Sequence, residues 1–393
     1  MKRIYLDHCA TTPVHPDVLE AMLPYLNNNY GNPSSAHIFG KKAQNAINEA
    51  REKVASLIQC APHEIIFTSG GTESNNLAIR GIVNAHKEKG NQIITSKIEH
   101  RSVLNTFQYL ETEGFQVTYL PVDQFGVVSS ELIKESISYK TILVSIMHAN
   151  NEIGTIQPIE KISGTLKEIG ITFHVDAVQT VGKISVNVTD LRVDLLSLSG
   201  HKIYGPKGVG ALYVKDGIKL SPIFYGGHQE RNIRSGTENV PAIVGLGKAC
   251  ELLKESTIKG KNNTELLRDR LQRLISEKIP NINVNGHPKL KLPHVLSVSI
   301  DSVIGEEIVR ELDKRGIAIS AGSACTSGHI EISHVISALG MQQSRARGTV
   351  RFSLGRYNTE KEIDYTAQTL ADLVEHIRSM DELEASSRLR GCF

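Results

Sequence analysis

Between Ile65 and Val214 the chain alternates short apolar runs with stretches of helical pattern, and this rhythm narrows its folds more than any other feature. Ile65–Ser69, Gln92–Ser96, Gln116–Leu120, Thr141–Met147, Thr172–Asp176 and Asp194–Ser199 read as strands, followed by ALYV (Ala211–Val214). The segment from Glu73 to about Lys89 reads as a helix. The runs are continuously apolar rather than alternating, the pattern of strands covered on both faces by helices. An α/β layer fold with a mostly parallel sheet is therefore predicted.

Beyond about Gly260 the texture changes. A charged helical stretch, TELLRDRLQRLISEKI, precedes the Pro- and Gly-punctuated NVNGHPKLKLPHV, then SVSI, a helix around Glu306–Arg315, and VRFSLG. These suggest a smaller α+β unit, and 393 residues fit about two or three domains at roughly 150 each. The last residues, DELEASSRLRGCF, read as a loose polar tail. Lys and Arg total 44 against 42 Asp and Glu, so there is no general pull toward nucleic acid. No apolar run approaches the ~20 residues that span a bilayer. The opening MKRIYLDHCATTP carries Asp7 and no apolar stretch, so no signal peptide is expected. Five cysteines, Cys9, Cys60, Cys250, Cys325 and Cys392, form no CxxC pair, which fits free thiols in a reducing cytoplasm. No HExxH or similar ligand spacing occurs among the histidines.

Three segments at strand ends carry chemistry. In Thr68-Ser69-Gly70-Gly71-Thr72-Glu73-Ser74 a strand runs through two glycines into a helix. Unpaired N–H groups there suit a phosphate; the alternative is an ordinary turn with a hydroxyl cap. Asp176, in HVDAVQ, ends a buried strand, where open α/β sheets bind ligands; a helix cap or structural ion pair is its alternative. Lys202, in LSLSGHK, stands just past another strand end. A lysine in a dry pocket loses its proton readily and forms Schiff bases, whereas most lysines are surface residues. Together the three match one cofactor, pyridoxal phosphate, which needs an anion cradle, an amine for its aldehyde and a carboxylate for its pyridine nitrogen.

Cys325 lies among small residues in ISAGSACTSG, which suits a nucleophile on a mobile loop; a free core cysteine is the alternative. His100, in SKIEHRSV, follows a strand end and would lie over a cofactor or simply cap a helix. Arg351, in VRFSLGR, would fork a substrate carboxylate or make a structural ion pair. Cys9, Cys60 and Cys250 read as structural, and Cys392 as an incidental tail residue.

The chain resembles the cysteine desulfurases of the NifS/IscS type, enzymes of pyridoxal phosphate fold type I. The likeness rests on YLDHCATTP, SGGTESNN, ITSKIEH, MHANNEIGT, HVDAVQTVGK, SLSGHKIYGPKGVGALY, GGHQE, RSGTEN, SAGSACTSG and RFSLGR, and so spans nearly the whole chain. It implies a large domain, 16–258, with a seven-stranded sheet, and a small domain, 1–15 with 259–393, carrying the cysteine loop. It implies a Schiff base on Lys202, His100 stacked on the ring and shuttling protons, and Asp176 at the pyridine nitrogen. Gln179 and Asn151 would lie near the ring hydroxyl. Gly71, Thr72, Ser199 and His201 would bind the phosphate, with Gly200 a further cofactor contact and Thr237 reaching the phosphate from the second subunit of a homodimer. Arg351, with Asn151, would hold the carboxylate of L-cysteine, and Cys325 would take its sulfur as a persulfide. A sulfur-acceptor protein would then draw on it for iron–sulfur cluster or other thio-cofactor synthesis. Cys9 departs from the pattern, standing where such proteins usually carry Ala or Asn. A selenocysteine lyase or an aminotransferase of the same fold are the neighbouring alternatives, and a non-enzymatic scaffold is the alternative from another class.

Overall fold

The structure, a computed structural model, describes the backbone of residues 3–258, 263–326 and 329–390; side chains at 256–258, 323–331 and 381–390 lie outside that description. A short strand β1 (Ile4–Tyr5) leads into helices α1 (Pro16–Asn27) and α2 (Ile38–Ile58). Strands β2 (Ile65–Thr68), β3 (Gln92–Ser96), β4 (Gln116–Leu120), β5 (Thr141–Met147), β6 (Thr172–Asp176), β7 (Leu195–Ser199) and β8 (Gly210–Val214) form one sheet in the order β2-β8-β7-β6-β5-β3-β4. Helices α3 (Gly71–His86), α4 (Arg101–Thr112), α5 (Ser130–Ser136), α6 (Ile159–Ile169), α7 (Val188–Leu191) and α8 (Val240–Ile258) complete this part. The predicted strands are all present. The sheet is mostly parallel, with β8 alone antiparallel, to both β2 and β7.

All seven residues of β5 are buried, because helices cover both faces. On one face α2 buries Ala43, Ile47, Ala50, Val54 and Ile58, a three-to-four-residue repeat that packs beside α8 against β2, β6 and β7. On the other, Leu77, Ile79 and Ile82 of α3 meet Val103, Phe107 and Leu110 of α4. The chain runs outward from β3 to β4, then returns to the far side of β3 as β5. That reversal opens a crevice at the carboxyl ends of the strands, where ligands of such sheets bind.

A second core gathers α9 (Thr264–Lys278), β9 (Ile282–Asn285), β10 (Val295–Ile300), α10 (Gly305–Lys314), β11 (Ile317–Ala318), β12 (Ser320–Ala321), β15 (Thr349–Ser353) and α13 (Glu360–Arg390). Between them lie β13 (Ser323–Thr326), β14 (His329–Ile332), α11 (His334–Ala338) and α12 (Gln343–Ala346). The sheet here runs β12-β15-β10-β9, and β1 pairs with β11, so the amino-terminal strand belongs to this part. Two expectations change. The segment read as a cysteine loop is a hairpin, with Cys325 on β13 opposite Ile330. The tail read as loose continues α13 as helical backbone to Arg390.

Four buried histidines make the cofactor-free fold acid-sensitive. Burial pulls His174 down to about 3, and His8 and His148 to about 4; His294 falls well below its usual value for the same reason. The unfolded chain takes up protons near 6.5 that the folded rings refuse, so stability falls from pH 7.5 to 5.5 by about 1 kcal/mol per ring. Glu99, fully buried and pushed up to about 8, opposes this by about 2 kcal/mol over the same range, being protonated only in the fold. Urea unfolding is therefore expected to show lower stability at pH 5.5 than at 7.5; a flat profile would contradict the burial of these rings as neutral groups.

Candidate active site

The crevice holds a cavity of about 380 Å³, lined among others by Gly71, Thr72, His100, Asn151, Asp176, Gln179, Ser199, His201, Lys202 and Arg351. That volume suits a small cofactor. Ten positions expected from sequence thus meet in one place, although up to 280 residues separate them along the chain (Gly71 to Arg351).

Gly70 adopts φ +151°, a conformation that L side chains rarely take, and lets β2 turn sharply into α3. A Cβ on Gly71 would stand 2.7 Å from Val178 Cγ2, so only glycine leaves the helix end open. The first-turn N–H groups of α3 face no earlier helical carbonyl and carry the positive end of the dipole. Ser199 Oγ is buried here without a partner. His201 donates to or accepts from Thr11 Oγ1 at 3.1 Å through Nδ1; burial, then Lys202 and Lys207, hold its ring neutral.

Asp176 ends β6 with both carboxylate oxygens engaged. Val178 N–H donates to Oδ1 at 3.0 Å and Asn75 Nδ2 to Oδ2 at 2.8 Å. Asn75 Nδ2 also donates to Ser102 Oγ at 2.8 Å, which leaves the Ser102 hydroxyl to donate to His100 Nδ1 at 2.8 Å. The backbone N–H of Ser102 reaches the same Nδ1 at 3.1 Å, so a neutral His100 carries its proton on Nε2. His100 caps α4, as one reading had it, and also lines the cavity. Asn75 and Ser102 went unnoticed in the sequence, although Asn75 lies one helical turn after Gly71 on the same face of α3.

Lys202 Nζ donates to the carbonyls of Cys9 at 2.5 Å and Ala10 at 2.8 Å. Burial lowers its pKa, with Arg351 adding to the fall and Cys9, Asp7 and Asp176 opposing it. Gln179 Nε2 donates to the same Cys9 carbonyl at 3.1 Å. Arg351 is buried; Nη1 donates to Asn151 O at 2.9 Å, and Nη2 to Asp7 Oδ1 at 2.7 Å and Ser320 Oγ at 3.0 Å. Its Nε is buried and unpartnered. The ion pair to Asp7 is thus present, and Nε is left as a free buried donor.

Some expectations need correcting. Gly200 does not line the cavity: its N–H donates to Val209 O and its carbonyl accepts from Ile203 and Gly205, so it shapes the turn that carries Lys202. Thr237, expected to act on a second subunit, is exposed and does not line its own protomer's cavity, in keeping with that expectation rather than against it. Cys9 is not a remote structural thiol but a cavity residue. The side chain of Cys325, and the whole of Cys392, lie outside the described residues.

A doubly covered, mostly parallel sheet with a lysine and a carboxylate at one crevice defines the fold type I transferase class. The sequence profile of the Aminotransferase class-V family matches residues 4–366. The chain is 50% identical over 381 residues to "Cysteine desulfurase IscS" of Dictyoglomus turgidum, covering 97% of each chain. A solved structure described as "NIFS-LIKE PROTEIN" aligns with TM-score 0.90 at 40% identity, covering 95% of this chain and all of that one. Another, "SspA in complex with cysteine", aligns with TM-score 0.81 at 41% identity, covering 91% of this chain and all of that one. The chain therefore belongs to the class-V aminotransferase family and, within it, to the cysteine desulfurases.

Proposed function

We propose that the chain removes sulfur from L-cysteine with pyridoxal phosphate in this cavity, giving L-alanine and a persulfide on Cys325. The observation that carries the reading is the meeting of Lys202, Asp176, His100 and the open end of α3 around one cavity. The fit to the cofactor rests on orphaned polar atoms. Ser199 Oγ and Asn75 Oδ1 are buried without partners, as is Arg351 Nε, and all three residues line the cavity. Buried polar groups are seldom left unpaired unless a ligand or water completes them.

Lys202 would carry the cofactor aldehyde, Asp176 would pair with the ring nitrogen, and Gly71, Thr72, Ser199 and His201 would hold the phosphate. When bound, the cofactor supplies an electron sink for the α-carbon of the substrate. Lys202, already depleted of proton affinity by burial, takes the Cα proton and returns it. His100 has its Nε2 proton fixed by Ser102 and moves a proton at the substrate thiol. Asp176 stays oriented because Asn75 and Val178 pin both oxygens. Thr237 would reach the phosphate of a second copy in a homodimer, and an acceptor protein would draw the sulfur for iron–sulfur or other thio-cofactor synthesis. The division into 16–258 and 1–15 with 259–393 accords with two separate cores. Free thiols at Cys9, Cys60 and Cys250 fit a cytoplasmic setting, and no helix among the described residues is long and apolar enough to cross a membrane.

The test is turnover of L-cysteine by the chain supplied with pyridoxal phosphate. With a thiol reductant present to release the persulfide sulfur, alanine and sulfide in equal amounts support the proposal; 3-mercaptopyruvate with an aminated cofactor would make it a transaminase. A further expectation concerns Arg351. Arg351→Lys keeps the charge but loses the Nε donor, and a hydrogen bond to a charged group is worth about 1.5–3 kcal/mol. KM for L-cysteine should rise roughly 10- to 100-fold with a smaller change in kcat; an unchanged KM would remove Arg351 from carboxylate recognition.

A further inference from the structure

Glu73 puts a negative charge beside the place where an anion would bind. It lies in the first turn of α3, two residues after Gly71, at the helix end that opens into the cavity. Ser199 points to an anion there independently of the helix end: it is 3% exposed, its Oγ has no partner, and that atom lies 3.9 Å from where a Cβ on Gly70 would stand. The Glu73 side chain folds back over the same end, and Ser69 N–H donates to its Oε2 at 2.8 Å. Its carboxylate is therefore no more than roughly 10 Å from the backbone nitrogen of Gly71. Burial would raise its pKa, but hydrogen bonds from Arg234 and Ser69 outweigh burial and hold the carboxyl below its usual range, so it is ionised at neutral pH. A carboxylate so placed repels a phosphate and competes with it for the positive end of the helix dipole.

One cation answers that charge. Arg234 Nε donates to Glu73 Oε1 at 2.7 Å and Nη2 to Oε2 at 3.2 Å, a two-pronged pair whose carboxylate side chain is only 8% exposed. No other cation pairs with Glu73 among the described residues. The segment that carries Arg234 is itself fastened to the same turn. Glu230, four residues earlier, is buried, accepts from both terminal nitrogens of Arg51 at 2.9 and 2.6 Å, and accepts from Phe67 N–H of β2 at 2.8 Å. Two carboxylates thus grip the β2–α3 turn, one at Phe67 and one at Ser69, each paired with an arginine. Glu230, Arg231 and Asn232 take φ of 43°, 59° and 62°, a left-handed run of three non-glycine residues that persists only where surrounding contacts hold it.

We propose that Arg234 is a positioning residue of the phosphate site: by gripping and neutralising Glu73 it keeps a like charge off the cradle at the start of α3, so that the cradle accepts the phosphate of the cofactor. The proposal rests on the reading that pyridoxal phosphate fills this cavity, and it assigns what makes the phosphate end fit for an anion.

The test compares the full chain with Arg234→Met, Glu73→Gln and the double variant. Each is titrated by visible absorbance with pyridoxal phosphate and with pyridoxal, which has the same aldehyde and no phosphate. Arg234→Met should raise Kd for pyridoxal phosphate at least ~10-fold and change Kd for pyridoxal by less than ~3-fold, because the unmasked charge acts on the phosphate alone. Glu73→Gln added to Arg234→Met should return Kd for pyridoxal phosphate to within ~3-fold of the wild type, since glutamine still accepts from Ser69 N–H but carries no charge. Raising salt from about 0.01 M to about 1 M, which shortens the screening length from roughly 30 Å to roughly 3 Å, should close most of the gap between Arg234→Met and the wild type. Equal weakening of both aldehydes, no restoration in the double variant, or unchanged binding by Arg234→Met would each overturn the proposal. If Arg234→Met does not fold, Glu73→Gln alone decides: it should bind pyridoxal phosphate at least as tightly as the wild type, and binding weaker by more than ~3-fold would overturn the proposal. If the wild type gains no absorbance with pyridoxal phosphate, the cofactor reading fails instead. Calorimetry with inorganic phosphate on the same chains then decides the role of Arg234, with equal phosphate binding by wild type and Arg234→Met as the contrary result.

Discussion

Lys202→Ala is expected to lower alanine production from L-cysteine by at least ~10³-fold, within the range a positioned general base contributes. The reason is that one amine serves two ends. It is the group that would tether the cofactor, and the group whose proton affinity burial has lowered for work at the α-carbon. Its place is prepared by carbonyls alone, since Cys9 O and Ala10 O hold the ammonium without any carboxylate that would fix it as an ion pair. Among the described residues none is placed to stand in. His100 has Nδ1 committed to Ser102, and Lys183 is held over Tyr204. The purified variant should lack the visible absorbance of a lysine Schiff base even with excess pyridoxal phosphate. Turnover near the wild-type rate would show that another base acts.

The second large effect concerns Cys325. Cys325→Ser is expected to leave the absorbance of the loaded enzyme and its response to L-cysteine intact, yet to cut alanine and sulfide release by at least ~10²-fold, because a serine hydroxyl at neutral pH is a weak nucleophile. The backbone leaves Cys325 within chain reach of the cavity wall. Ser320 on β12 pairs with Arg351 on β15, and its Oγ accepts from the Arg351 guanidinium. Cys325 follows five residues later, so its Cα stands no more than roughly 17 Å from that of a residue that touches the cavity wall. Absorbance measured beside alanine release separates this variant from Lys202→Ala, which loses both. Normal desulfurisation by Cys325→Ser would remove the residue from the reaction.

The strands of the main sheet were legible because each is a continuous apolar run bounded by turn residues, and β5 is buried along its whole length. The antiparallel sense of β8 was not, since apolar periodicity carries no direction. The three anchors of the cavity, the open end of α3, Asp176 and Lys202, were readable because each combines a strand end with a residue type of definite chemistry. Asn75 and Ser102 were invisible, as amides and hydroxyls in helices are common and only the fold joins them to Asp176 and His100. Gly200 misled because its backbone bonds serve the turn and not the cavity. Cys9 was placed with the structural thiols because nothing in YLDHCATTP tells that the chain end crosses back over Lys202. The pairing of β1 with β11, some three hundred residues away, makes that crossing.

The central claim is that the amine of Lys202 is the point of attachment for pyridoxal phosphate. Borohydride reduction of the loaded chain, followed by proteolysis and mass spectrometry, tests it directly. A single reduced phosphopyridoxyl group on the peptide bearing residue 202 is the expected result. The same group on Lys183, an amine whose charge acts on Lys202, or scattered over surface lysines, would contradict it.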